Sequence, residues 1–168
     1  MIRSLFLVFS LLCLTAMPVL AGEKEEKKMD PKVTEEIRGT LKKHDEAMNN
    51  HDLKAVLEIY ANSPDIIVMG TGPGEIWKGK AEIEDLYKHF FEDFEKGSLS
   101  HKCPFTFVEQ KEHVAWLMAS CQMKDKTKQG LREYVLNVSI VLGKQGESWK
   151  FHTMHFSNLT GGGQEGGK

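Results

Sequence analysis

Two periodicities divide this chain of 168 residues. Up to Gly97 apolar positions recur at spacings of three and four; after Gly97 they alternate with polar ones at a period of two. In the first region Val33, Ile37, Leu41, His44 and Met48 form one stripe of a helix that opens at Asp30-Pro31. Aspartate serves there as the N-cap and proline occupies the first helical position. His44 is the one polar member of that stripe. The run NNHD ends the helix, Asp52 caps a short second one through LKAVLEIYA, and Pro64 stops it. DIIVMG predicts a strand, TGPGE a turn and EIWKG a second short strand. A third helix fills KAEIEDLYKHFFEDFEK, with Ile83, Leu86, Tyr87, Phe90 and Phe94 facing inward and Gly97 as its stop.

The alternating region predicts four strands, at 101–110, 113–124, 131–143 and 148–158, joined by turns. Short connections between consecutive strands favour antiparallel pairing. Three N-terminal helices followed by a meander specify an α+β domain, with the helices on one face of a curved, mainly antiparallel sheet. On the last strand, strict alternation places Trp149, Phe151, Thr153, His155 and Ser157 on one face, and Lys150, His152, Met154, Phe156 and Asn158 on the other. His152 and His155 therefore point apart and cannot chelate one ion. The other histidines follow no zinc spacing, so neither a metal nor a cofactor is expected.

The two ends read differently from the middle. Residues 1–21 have a charged start at Arg3, an apolar run from Leu5 to Leu14, and Val19 and Ala21 at the small-residue positions of a cleavage site. They predict a signal peptide and a periplasmic or secreted product with no membrane association after cleavage. Residues 22–30 read as a charged linker, 31–160 as one domain, and 161–168 as a flexible Gly-rich tail. The leader holds one of the 22 basic residues and none of the 24 acids, leaving a net charge near −3 without a basic stripe. Nucleic acid is not an expected partner. Cys103 and Cys121 flank Glu112 at equal distance, so a hairpin turn centred there would set them face to face for a disulfide. A register slip of one residue would turn them apart.

Three stretches carry a family resemblance: HDLKAVLEIYA, then IIVMGTGPGEIWKGKAEI, then WKFHTMHFS. In order and spacing they resemble the SnoaL-like branch of the nuclear-transport-factor-two superfamily, over residues 32 to about 160. The resemblance implies a cone: helices packed in the concave face of a strongly curved sheet around a pocket, often in a homodimer joined through the sheet. Cyclase and kinase-association members close with a Trp strand bearing a His and a Ser two apart, matched here by Trp149, His155 and Ser157. The kinase-association domain has a further histidine where this chain has Thr153. Many relatives carry an arginine two residues before a threonine on the preceding strand; the matching positions are Asn137 and Ser139, so the resemblance implies a pocket without that cation. Ketosteroid isomerase uses a tyrosine on the first helix, where His44 stands, and an aspartate on the first strand, where residues 67–69 offer no carboxylate.

The expected ligand site is therefore His155, Ser157, Thr153 and His44, with Trp149 and Trp77 as walls and Asn137 nearby. Glu75 is a candidate rim acid. Each histidine has a competing reading as a buried residue satisfied by a neighbour. The implied function is binding of a small apolar or aromatic molecule in the cone. No nucleophile–base–orienter trio is visible, and no catalytic residue is assigned. An isomerase, dehydratase or cyclase using a pocket histidine as acid/base is the alternative, and a sheet-mediated assembly module a second.

Overall fold

The computed structural model describes residues 30–158; the expected leader, the linker up to residue 29 and the tail lie outside them. Helix α1 spans Pro31–Asn49, and the Asp30 carboxylate accepts the Lys32 amide at 2.9 Å, as the N-cap reading requires. Helix α2 spans Leu53–Ile59, with Asp52 accepting the Ala55 amide. Strands β1 (Ile67–Met69) and β2 (Ile76–Lys78) lead into α3, Gly79–Asp93. That helix stops before the expected glycine. Phe94 is extended and buried, the Glu95 amide donates to the Lys126 carbonyl, and the Gly97 amide donates to the Asn49 carbonyl. Tertiary hydrogen bonds thus claim the segment that local sequence would have continued as helix. No helix among the described residues is long and apolar enough to cross a membrane.

Four long strands complete the sheet: β3 Ser100–Lys111, β4 Val114–Thr127, β5 Gly130–Gln145 and β6 Ser148–Asn158. The strand order is β2-β1-β6-β5-β4-β3. Every neighbouring pair is antiparallel except β1 and β6, which run parallel with Val68 beside Met154. The three helices pack against the concave face, where Ile37, Val56, Ile83, Leu117, Ile140 and Phe151 are almost wholly removed from solvent. Each such side chain contributes roughly 1.5–3 kcal/mol relative to exposure.

Two bulges set which side chains look inward. In β6 the ladder to β5 pairs Leu142 with Phe151 but Val141 with Thr153, leaving His152 as an extra residue. Its ring lies over Gly143, where a Cβ would come within 2.6 Å of Nε2. Beyond the bulge the alternation is reversed. Met154 and Phe156 join Phe151 on the concave side, and Thr153, His155 and Ser157 face the convex side. The single-face reading of 149–157 is thereby corrected. In β3 a bulge at Cys103 and Pro104 separates Lys102, paired with Gln122, from Phe105, paired with Ser120. The hairpin's own two-residue turn would have set Pro104 opposite Cys121; the extra residue brings Cys103 there, and the Cys103–Cys121 disulfide forms.

Candidate functional site: an aromatic cavity over a buried polar chain

A cavity of about 550 Å³ lies between α1, α3, the β1–β2 hairpin and the adjoining halves of β5 and β6. Trp77, Leu86, Phe90, Leu136 and Phe156 supply apolar wall, and His44 and Tyr87 present the deepest polar groups. Each is placed by its element. His44 sits four residues before Met48 on the inner stripe of α1, and Tyr87 four residues after Ile83 on α3.

Beneath the cavity runs a chain of hydrogen bonds. His44 Nδ1 is 3.1 Å from Asp45 Oδ1, His44 Nε2 is 2.8 Å from the Tyr87 hydroxyl, and that hydroxyl is 2.6 Å from the hydroxyl of Tyr60. His101 Nε2 stands 3.5 Å from the other Asp45 oxygen. An ionised carboxylate only accepts, so neutral His44 donates from Nδ1 to Asp45. Nε2 then accepts from Tyr87, whose oxygen accepts from Tyr60. If His44 carries a second proton, both hydroxyls reverse: Nε2 donates to Tyr87, Tyr87 to Tyr60, and Tyr60 to Met154 Sδ, 3.6 Å away. Every hydroxyl hydrogen has an acceptor in both arrangements, so neither direction of the chain strands a buried hydroxyl. Burial pushes the Tyr60 and Tyr87 hydroxyls above the ordinary phenol range; for Tyr87 the neighbouring Tyr60 and Asp45 push further.

A second polar group closes the outer end. Asp125 on β4 is fully buried and receives the Arg132 Nε and Nη2 and the Tyr134 hydroxyl, each at 2.9 Å. Arg132 Nη2 also reaches Asp93 at 2.9 Å. Hydrogen bonding to Asp125 holds the guanidinium even more firmly protonated than usual, and burial, then the bond to Asp125, pushes the Tyr134 hydroxyl up. At the rim the Gly70–Glu75 loop is built around one side chain. Glu75 Oε2 accepts the Gly72 amide at 2.7 Å, and a Cβ on Gly70 would stand 2.2 Å from that oxygen. A side chain at position 70 would collide with this carboxylate, and the Gly72 amide holds Glu75 at the rim as an acid.

Of the residues expected to converge, His44 and Trp77 line this cavity. Thr153, His155 and Ser157 do not, because the bulge at His152 turns them to the convex face. Asn137 pairs with Ser157 and Ser120 on that same outer face. Trp149 is buried against Lys144 at the far end of the sheet, away from the cavity. The expectation of a pocket without an arginine is also corrected: Arg132 shares the parity of Tyr134 and Leu136, and that parity is the inward one. Sequence reasoning missed Asp45, Tyr60, Asp125 and Asn158. Asp125 did carry a signal, as the lone carboxylate continuing the small inward series Ala119, Cys121 and Met123. Among the described residues no three His, Cys, Asp or Glu side chains converge to hold a metal ion.

Comparison with known proteins agrees with this architecture. No curated protein matches the chain in sequence. A nuclear-transport-factor-two-like superfamily protein from Salmonella enterica superposes with a TM-score of 0.69 at 15% identity, covering 82% of this chain and 98% of that one. A ketosteroid isomerase-like protein from Erwinia carotovora superposes at 0.64 with 19% identity, covering 79% and 100%. A Nostoc punctiforme protein with a cystatin-like fold gives 0.64 at 14% identity, covering 77% and 93%. At such identities the likeness establishes fold alone. The sequence model described as the SnoaL-like domain matches residues 37–161, most of the folded region, and the chain belongs to that family.

Proposed function

We propose that the chain binds a small apolar or aromatic molecule in the cavity between α1, α3 and the sheet. The observation that carries this reading is the aromatic cavity itself: Trp77, Phe90 and Phe156 form walls above polar groups already satisfied by one another. A space of this size, apolar with a few placed polar groups, suits a compact ligand. Native mass spectrometry of protein purified from cells tests it. A bound small molecule is expected, and Leu136→Trp, which fills the space, should release it. A protein that carries nothing and shows no saturable Trp-fluorescence response to aromatic compounds would overturn the reading.

A second reading is favoured by the Asp45–His44–Tyr87 chain. A histidine oriented by a carboxylate, with a hydroxyl on its other nitrogen, is a suitable acid/base pair for an isomerase, dehydratase or cyclase. Solvent deuterium incorporation into a bound ketone would support it if the exchange is lost in His44→Gln; equal exchange in that variant would exclude it. We further propose that the protein is exported, which N-terminal sequencing of the mature product tests, and that it pairs with a second copy through the convex face of the sheet.

A further inference from the structure

Resting on the cavity as a ligand site, we infer that its preferred occupant is cationic: an aromatic or apolar body carrying a protonated amine. The cavity has little to offer an anion. Arg132 is the one Lys or Arg side chain lining it, and its Nε and Nη2 are already held by two carboxylates, Asp125 and Asp93. A ligand carboxylate approaching the remaining Nη1 would join two negative charges around one positive charge. Asp125, fully buried and bonded three ways, cannot swing aside to relieve the crowding.

The rest of the lining favours a cation. Glu75 is held at the rim by the Gly72 amide, and only its Oε2 is engaged among the described residues, leaving Oε1 free to accept. His89 leans the same way. His89 Nδ1 must donate to the Asp85 carbonyl at 2.7 Å, so in the neutral ring Nε2 is left as an acceptor. Trp77, Tyr87, Phe90, Tyr134 and Phe156 bring five aromatic rings to one cavity, and ring faces attract ammonium and guanidinium groups. Arg132 already uses one of them, its guanidinium carbon lying 5.2 Å from the centre of the Tyr134 ring. Net negative lining, the free His89 nitrogen and aromatic rings together match an N–H-bearing cation.

Three probes sharing one ring separate the charge classes: naphthylmethylammonium, naphthylmethanol and naphthoate, titrated by calorimetry and Trp fluorescence on the folded protein. The ammonium should bind about tenfold more tightly than the alcohol, with naphthoate weakest. Added salt should weaken the ammonium and leave the alcohol unchanged. Glu75→Gln, at an exposed rim position, should cut the ammonium's advantage severalfold without loss of thermal stability. Glu75→Gln with Asp93→Asn should erase it, provided circular dichroism shows native structure. If naphthoate or the alcohol binds as tightly as the ammonium, the charge inference is overturned while the cavity reading stands. If none of the three binds saturably, both fall.

Discussion

Tyr87 shows what one hydroxyl holds in place. It bridges His44 and Tyr60 inside the protein, so Tyr87→Phe leaves an imidazole nitrogen and a hydroxyl without their shared partner. Loss of about 1–3 kcal/mol is expected in urea unfolding, because a buried unpaired polar group has lost its water and gained nothing. The phenols resist ionisation for the same reason of burial. All three tyrosines, at positions 60, 87 and 134, have hydroxyls raised above the ordinary value of 10. Their contribution to stability is complete below pH 10 and is lost as pH rises through the folded values. Phenolate absorbance should therefore stay low at pH 10 and appear together with the loss of far-ultraviolet dichroism above it. Phenolate formation near pH 10 in a still-folded protein would contradict the burial of this chain. At this scale His44 was legible in the sequence as the polar interruption of an apolar helix stripe. Its partners were not, because Asp45 is simply the next residue and Tyr60 and Tyr87 arrive from separate elements.

The elements were legible for a plain reason: their periods are local. Caps at Asp30 and Asp52, the stripe of α1 and the alternation of the meander all depend on near neighbours. Facing was not. One extra residue at His152 reverses every side chain beyond it, and nothing in WKFHTMHFSN marks where the ladder slips. Gly143 supplies the space for that slip, so Gly143→Ala should force the His152 ring to move and destabilise the β5–β6 ladder. A loss of about 1–3 kcal/mol is expected, with cross-strand amide contacts at Val141 and Leu142 shifted in nuclear magnetic resonance spectra. The β3 bulge acts in the opposite sense, creating an alignment that the turn alone would have denied. Cutting the Cys103–Cys121 bond by the paired Cys→Ser change should lower stability by roughly 3 kcal/mol, the value for a loop of this length. A thiol count of two in the native, unreduced protein would instead mean that the bond is absent.

At the scale of the whole molecule, the convex face is left uncovered by the three described helices. Phe107, Met118, Val135 and Val141 are each more than a third exposed, around a polar seam of Ser139, His155 and Asn137. Apolar exposure of this kind on one sheet face suits a second sheet. Val135→Asp should shift a homodimer to monomer in light scattering at micromolar concentration, and an unchanged mass would argue for another partner. The α+β class and helix order followed from sequence alone; the cone was implied by resemblance and by the order of the motifs. The cavity's charge was not legible, because Asp93, Asp125 and Arg132 lie on three elements and meet only after folding.

Strand β1 has its long-strand neighbour not in β3, the first long strand after it, but in β6, and residues 67–69 lie beside residues 153–155. The Ala61 amide likewise waits for the Phe151 carbonyl. A ribosome delivers these partners after every other described element. Helices α1 and α2 can form early, but the apolar surface meant for Phe151 and Met154 stays open until the final dozen described residues emerge. Such distant pairing slows folding and lengthens exposure to aggregation or chaperone capture. Chains released short of β6 should therefore remain protease-sensitive along their whole length, instead of presenting a folded N-terminal half.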